Sequence, residues 1–210
     1  MKTFWSFSSL NTYERCPHTQ SFPYSARPAQ EKNEAAERGI AIHDLCYKYA
    51  LGQTEEHPGG DFPWEVLRLG IPEEKIGLTD EWGVTDYKTA WFKVIPDNYR
   101  VNETELEIID FKTGKREYNE VKHTQQMQLY ATALHAKYPQ IETIKTNLWY
   151  LDLGIIIPSS STAKQALARR PRYKIRADKM LSDNVLAPNP SKSNCRFCDF
   201  KEICAYAHRD

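Results

Sequence analysis

The sequence predicts an α/β fold, a sheet with helices on its flanks. Three observations carry this reading. Strand-like runs recur between Lys75 and Lys112, rich in β-branched and aromatic residues. A helix-patterned segment, Lys122 to Tyr138, separates the last of them from a further strand, Thr143 to Leu153. Within Leu106 to Lys112 the pair Ile108-Ile109 marks a buried strand that runs directly into charge, which is costly unless that charge has a partner.

Taken in order, Ser8 to Arg15 reads as a short capped helix stopped by Cys16-Pro17. Helix formers dominate Ala29 to Leu51, with Ile40, His43, Leu45, Tyr47 and Ala50 on the expected apolar side. Pro58, Gly59 and Gly60 mark a loop, and Trp64 to Gly70 reads as a short helix. Strand signals follow at Lys75 to Thr79 with Trp82 to Val84, at Trp91 to Ile95, and at Leu106 to Lys112. After the helix and the Thr143 strand, Pro158 to Thr162 reads as a polar linker and Ala163 to Leu181 as a helix interrupted by Pro171. Ala187 to Asn194 is irregular. The 210 residues are read as one domain in three parts: 1–60 helical, 61–157 the sheet core, 158–210 a basic helix and a cysteine cluster.

Hydrophobic residues make up 40% of the chain, enough for a sizeable core, and 28 Lys and Arg balance 28 Asp and Glu. With no global field, an anionic partner must be held by local patches. No apolar run approaches membrane-spanning length, and MKTFWSFSSL has no signal-peptide core, so the expectation is a cytoplasmic protein without a membrane partner. Nothing marks an oligomer interface.

The chemistry concentrates between Ile95 and Lys115. In a strand alternate side chains share a face, so Asp110 and Lys112 point one way and Phe111 the other. If Val94-Ile95-Pro96-Asp97 pairs with that strand, two carboxylates and an ammonium meet at one sheet edge. Such a set holds a divalent cation and leaves a positive group for charge developing on phosphorus. Asp80 and Asp86 rival Asp97 for the first acid, and Glu74 is a further candidate beside surface exposure. Gln126 and Tyr130, four apart on a helix, share a face. An odd count of five cysteines without a secretion signal argues against a disulfide framework. Cys195, Cys198 and Cys204 bring three thiolates to one site; Cys16 is the available fourth, whereas Cys46 reads as a small buried hydrophobe. The crowded three read as a metal or cluster site, and sites built from four cysteines are commonly structural zinc. Lys164, Arg169, Arg170, Arg172, Lys174 and Arg176 form the most basic stretch, which Lys115, Arg116 and Lys122 extend.

Pro96-Asp97, twelve residues, then Asp110-Phe111-Lys112 resembles the PD-(D/E)XK nuclease signature. The surroundings resemble its RecB-type exonuclease branch, which includes CRISPR-associated adaptation nucleases and phage-encoded relatives. Ser6 to Pro17 is similar to that branch's N-terminal segment with its first cysteine, and Gly39 with His43 to its Gly-x-x-x-His motif. Gln126 to Tyr130 resembles its Gln-x-x-x-Tyr helix, and Cys195-x2-Cys198-x5-Cys204 its iron–sulfur ligands. The resemblance implies a restriction-endonuclease-like mixed sheet flanked by helices, with an iron–sulfur staple on Cys16, Cys195, Cys198 and Cys204 joining the two ends of the chain. It implies that His43, Asp97, Asp110 and the Phe111 carbonyl bind Mn2+ or Mg2+, with Lys112, Gln126 and Tyr130 completing the catalytic set. A mixed imidazole and carboxylate donor set suits Mn2+ at least as well as Mg2+. The implied activity is DNA exonuclease cleavage of single-stranded or frayed ends, in recombination, repair or spacer processing. Lys115, Arg116, Arg169, Arg170, Arg172, Lys174 and Arg176 would then contact the DNA backbone. A structure-specific endonuclease and a non-catalytic nucleic-acid-binding subunit are the alternatives. A phage-encoded protein would act in the host cytoplasm.

Overall fold

The computed structural model describes residues 3–26, 34–114 and 119–209. The chain forms two compact units, one from residues 34–171 and one from the residues up to 33 together with those from 172 onward. The helices α1 (Phe7–Arg15) and α2 (Glu34–Ala50), both from the first sixty residues, belong to different units.

The larger unit is built on a five-stranded sheet. Its strands are β1 (Ile71–Pro72), β5 (Asn98–Asn102), β6 (Glu105–Lys112), β7 (Thr143–Tyr150) and β8 (Ile155–Thr162), side by side in that order. Only β6 and β7 run parallel, joined by α3 (Glu120–Lys137); every other neighbour is antiparallel. This is a mixed sheet flanked by helices. A second, three-stranded sheet places β2 (Ile76–Leu78) between β3 (Val84–Thr85) and β4 (Phe92–Val94).

Each face of β6 meets a different layer. Ile109 and Phe111 enter a core with Trp149 of β7, Cys46, Tyr49 and Ala50 of α2, and Phe62, Trp64 and Leu67 around the short 3-10 helix Trp64–Leu69. Phe62 stacks on Trp149 at 5.3 Å between ring centroids, and Phe111 meets the same indole edge-on at 5.8 Å. Asp110 and Lys112 take the other face, where α3 crosses β6 and β7.

Four readings of the sequence are corrected. The antiparallel partner of β6 is not Val94–Asp97 but β5, one strand later; Phe92–Val94 pairs with β2 in the small sheet. The ladder breaks at Ile95-Pro96 because proline has no N–H to donate, and Asp97 stays beside β6 only because Asn98 faces Ile109. Residues 158–162 are not a linker but part of β8, which pairs with β7 along its whole length. Its serines carry no apolar alternation because it is an exposed edge strand. The helix α4 (Ala163–Ser182) is not interrupted by Pro171: the buried positions Ala166, Tyr173, Ala177 and Met180 keep helical spacing through it. On α2 the buried side is Cys46, Tyr49 and Ala50, whereas Ile40 is 71% exposed.

The smaller unit ties the first residues to the last. Ser6 and Ser9 form a capping box at the start of α1. Trp5 stacks on Tyr173 of α4, Tyr13 donates to Asp183 at 2.8 Å, and Arg176 grips Glu14 through two bonds of 2.6 and 2.7 Å. The side-chain amides of Asn189 and Asn194 both donate to the Arg15 carbonyl at 3.1 Å, holding Cys16 against the C-terminal loops and α5 (Lys192–Arg196).

Candidate active site and cysteine cluster

Asp97 precedes β5 and is held from two sides. Its Oδ2 accepts from the Phe111 backbone N–H at 2.7 Å, and its Oδ1 lies 3.5 Å from Nδ1 of His43. His43 reaches it from α2, its ring edge-on to Phe111 at 5.8 Å. Gly39, one turn earlier, explains the approach: a Cβ there would stand 3.1 Å from Oγ1 of Thr113, just past the end of β6. The glycine lets the helix lie against that strand end and deliver His43 to Asp97.

Asp110 is 1% exposed and forms an ion pair with Lys112 at 2.5 Å. Lys112 Nζ also donates to Gln126 Oε1 at 2.9 Å, and Gln126 Nε2 donates to the Tyr130 hydroxyl at 2.7 Å. The groups form a line: His43 to Asp97 to the Phe111 amide, and Asp110 to Lys112 to Gln126 to Tyr130. Asp80 and Asp86 are exposed in connections of the small sheet, with Asp86 capping its own turn through the Lys88 N–H at 2.7 Å.

The electrostatics follow from this crowding. Burial and the negative charge of Asp97 push the Asp110 carboxyl up to about 7, against the pull of Lys112. The hydrogen bond to Asp97 draws His43 above its ordinary value despite burial. Burial, with Asp110 and Asp97 nearby, keeps Tyr130 protonated far above the ordinary phenol range.

Among the described residues, no three His, Cys, Asp or Glu side chains already stand at ligand spacing around one point. The donor chemistry nevertheless fits a divalent cation. Asp110 Oδ2 is buried against the Lys112 ammonium at 2.5 Å. Two crowded carboxylates and an imidazole are the oxygen and nitrogen donors such an ion takes.

Glu73, not Glu74, faces the site. Glu74 accepts from Lys137 and from the Tyr99 hydroxyl, which removes it to a structural ion pair. Glu73 lines an open groove of about 590 Å3 together with Gly39, Ile40, His43, Asp44 and Thr113. Its backbone adopts φ 47°, a left-handed conformation that non-glycine residues rarely take, while its N–H donates to the Asp97 carbonyl at 3.2 Å. Burial and Asp97 raise its carboxyl above the ordinary range. Nothing in the pair Glu73-Glu74 distinguishes the two acids; the reversed backbone alone does.

Cys16, Cys195, Cys198 and Cys204 line one small cavity, ringed by Phe22, Pro188 and Tyr206. The Asn189 N–H donates to Cys16 Sγ and the His208 N–H to Cys195 Sγ, each at 3.3 Å. Burial raises the Cys198 thiol, and the neighbouring Cys16 and Cys195 add to the shift. The four thiols share one cavity, and two of the sulfurs accept from backbone N–H groups. Cys46 sits in the core of the larger unit, its thiol pushed up to about 12 by burial.

The described basic residues have different partners. Arg170 lies over the Trp82 ring at 5.8 Å, Lys174 pairs with Asp178 at 3.5 Å, and Arg176 is taken up by Glu14. Arg172 is exposed, and Arg169 lines a cavity of the larger unit. Lys115 and Arg116 lie outside the described residues.

The family described as the PD-(D/E)XK nuclease superfamily matches residues 79–205, more than half of the chain. That span holds Asp97, Asp110, Lys112, Gln126, Tyr130 and the three C-terminal cysteines; His43, Glu73 and Cys16 precede it. Among solved structures, one described as "Crystal structure of SSO0001" resembles the chain in fold. The identity is 17%, the TM-score 0.51, and the likeness covers 100% of this chain and 89% of the other. No curated protein matches the chain. Among the described residues, no helix is long and apolar enough to cross a membrane.

Proposed function

The chain belongs to the PD-(D/E)XK nuclease superfamily, whose members are metal-dependent nucleases, and on that premise we propose that it is a DNA exonuclease acting on single-stranded or frayed ends. The observation that carries this reading is the convergence of His43, Asp97, Asp110, Lys112, Gln126 and Tyr130, from α2, β6, α3 and the start of β5, into one connected set. Exonuclease action, DNA as the substrate, and a setting in recombination, repair or spacer processing are the finer parts of the proposal.

His43, Asp97, Asp110 and the Phe111 carbonyl would hold Mn2+ or Mg2+, with Glu73 beside them. Bound there, the cation supplies Lewis acidity and a nucleophilic water at neutral pH. The Phe111 N–H and His43 fix the orientation of Asp97. Lys112, aimed by Asp110 and Gln126, carries positive charge to where phosphorane charge develops and costs no reorganisation at that moment. Tyr130 accepts from Gln126 and keeps its own proton, so its O–H is free to donate to substrate or water. The exposed Ile40 and the groove beside His43 offer the strand a route to these groups. We further propose that Cys16, Cys195, Cys198 and Cys204 bind a [4Fe–4S] cluster as a structural staple, supported by their common cavity and the two N–H donors to sulfur.

The test is digestion of end-labelled linear single- and double-stranded DNA beside covalently closed circles, in Mn2+ and in Mg2+. Linear DNA should be degraded, circles should survive, and Mn2+ should support at least the Mg2+ rate. Asp110→Ala and Lys112→Ala should abolish cleavage. Cut circles would make the protein an endonuclease, and an inactive protein in both metals would favour a non-catalytic binding subunit. Anaerobic preparation should give a brown, iron-containing protein; a colourless, zinc-loaded one overturns the cluster assignment.

A further inference from the structure

A second cavity opens on the flank of α3 that faces away from Gln126 and Tyr130. It holds about 290 Å3, near the lower end of the range for small-molecule sites, about 300–1,000 Å3. Its lining includes the hydroxyls of Thr146 on β7 and of Ser159 and Ser161 on β8, with the apolar Met127 and Ile157. Arg169 of α4 also lines it. Hydroxyls beside an arginine match the oxygens of a phosphate, and the apolar floor matches a sugar or base.

The cavity lies on the same face of the sheet as the catalytic groups. Asp110, Leu148 and Ile157 stand side by side on neighbouring strands, as do Ile108, Thr146 and Ser159. Two strand spacings, roughly 10 Å, therefore separate the Asp110 row from the cavity.

We propose that this cavity is a nucleotide subsite, taking one phosphate on Arg169 and the Ser159, Ser161 and Thr146 hydroxyls with its sugar or base against Met127 and Ile157. Its capacity for a nucleotide stands on the cavity alone; its role as a contact for the substrate strand rests on the nuclease reading. The ligand is either a residue of that strand or a free mononucleotide, and the two have the same chemistry.

The experiment measures binding in EDTA, where cleavage cannot occur. Anisotropy follows a labelled 12-nucleotide oligothymidylate; calorimetry follows thymidine monophosphate and inorganic phosphate. Arg169→Ala should weaken oligonucleotide binding about tenfold or more, the scale of one lost charge-assisted contact, with Tm unchanged. Arg169→Lys should recover part of the loss, and Ser159→Ala should show a smaller loss in a fold it cannot disturb from its exposed edge. Arg169-dependent binding of the mononucleotide identifies a mononucleotide pocket; dependence of the oligonucleotide alone identifies a strand contact, and either supports the subsite. Affinity unchanged in Arg169→Ala and Ser159→Ala, or inorganic phosphate binding as tightly as the mononucleotide, overturns it. Arg169-dependent binding in a protein that never cleaves DNA keeps the subsite and removes the nuclease reading. Cleavage without such binding does the reverse.

Discussion

Replacing Asp110 by asparagine should destroy activity and stabilise the fold. Asp110 is 1% exposed, lies beside Asp97, and has its carboxyl raised from 3.8 to about 7. Protonated Asp110 therefore contributes stability that is fully present below 3.8 and is lost as pH rises through about 7. Each unit corresponds to about 1.36 kcal/mol, so above neutral pH the ionised group costs the metal-free fold on the order of 4 kcal/mol. Asparagine removes the charge but still desolvates an amide, and Lys112 keeps its bond to Gln126, so about 2 kcal/mol of net gain is expected. For a chain of this size that raises Tm by about 4–8 °C. The assay is thermal unfolding by circular dichroism in EDTA from pH 4 to pH 8.5, beside DNA cleavage in Mn2+. The Tm difference between variant and wild type should grow across pH 4 to 7 and then level off. A variant that melts below wild type at pH 8, or that still cleaves DNA, refutes the reasoning.

Other perturbations separate the remaining claims. Gly39→Leu forces side chain toward Thr113 Oγ1, displaces His43 from Asp97 and should lower cleavage about a hundredfold, as roughly 1 Å of misplacement does; full activity would break the link between Gly39 and the site. Cys46→Ser puts a hydroxyl into the core and should lower stability by about 1–3 kcal/mol, read as denaturant midpoint, without changing the iron content of anaerobic protein. Arg176→Ala should lower stability by no more than about 1 kcal/mol and leave DNA affinity unchanged, because Glu14 already neutralises that guanidinium. Burial and the nearby Lys112 and Lys122 push His123 down to about 4, so its neutral form contributes stability above 6.5 that is lost as pH falls toward 4. His123→Gln should flatten that part of the pH–stability profile measured by urea unfolding.

Pairing was the least readable part of the fold. The alternation of Leu106 to Lys112 assigned Asp110 and Phe111 to opposite faces, and the helical spacing of Gln126 and Tyr130 assigned them to one face, because both follow from geometry within a single element. The partner strand is not legible because β5, Asn-Tyr-Arg-Val-Asn, has polar ends and no apolar run, and β8 reads as a linker because a serine-rich edge strand looks like a loop.

What the sequence determined by itself was therefore local and chemical: an α/β pattern, the acid–x–lysine end of β6, a glycine four before a histidine, and a cysteine set with one distant member. Only the tertiary structure decided which strand brings Asp97 to Asp110 and which of two adjacent glutamates faces the site. It also decided that Arg169 lines a cavity while Arg176 is spent on Glu14. The reason is physical. Periodicity encodes which way a side chain points from its own backbone, whereas a partner across space is selected by the packing of elements far apart in the chain.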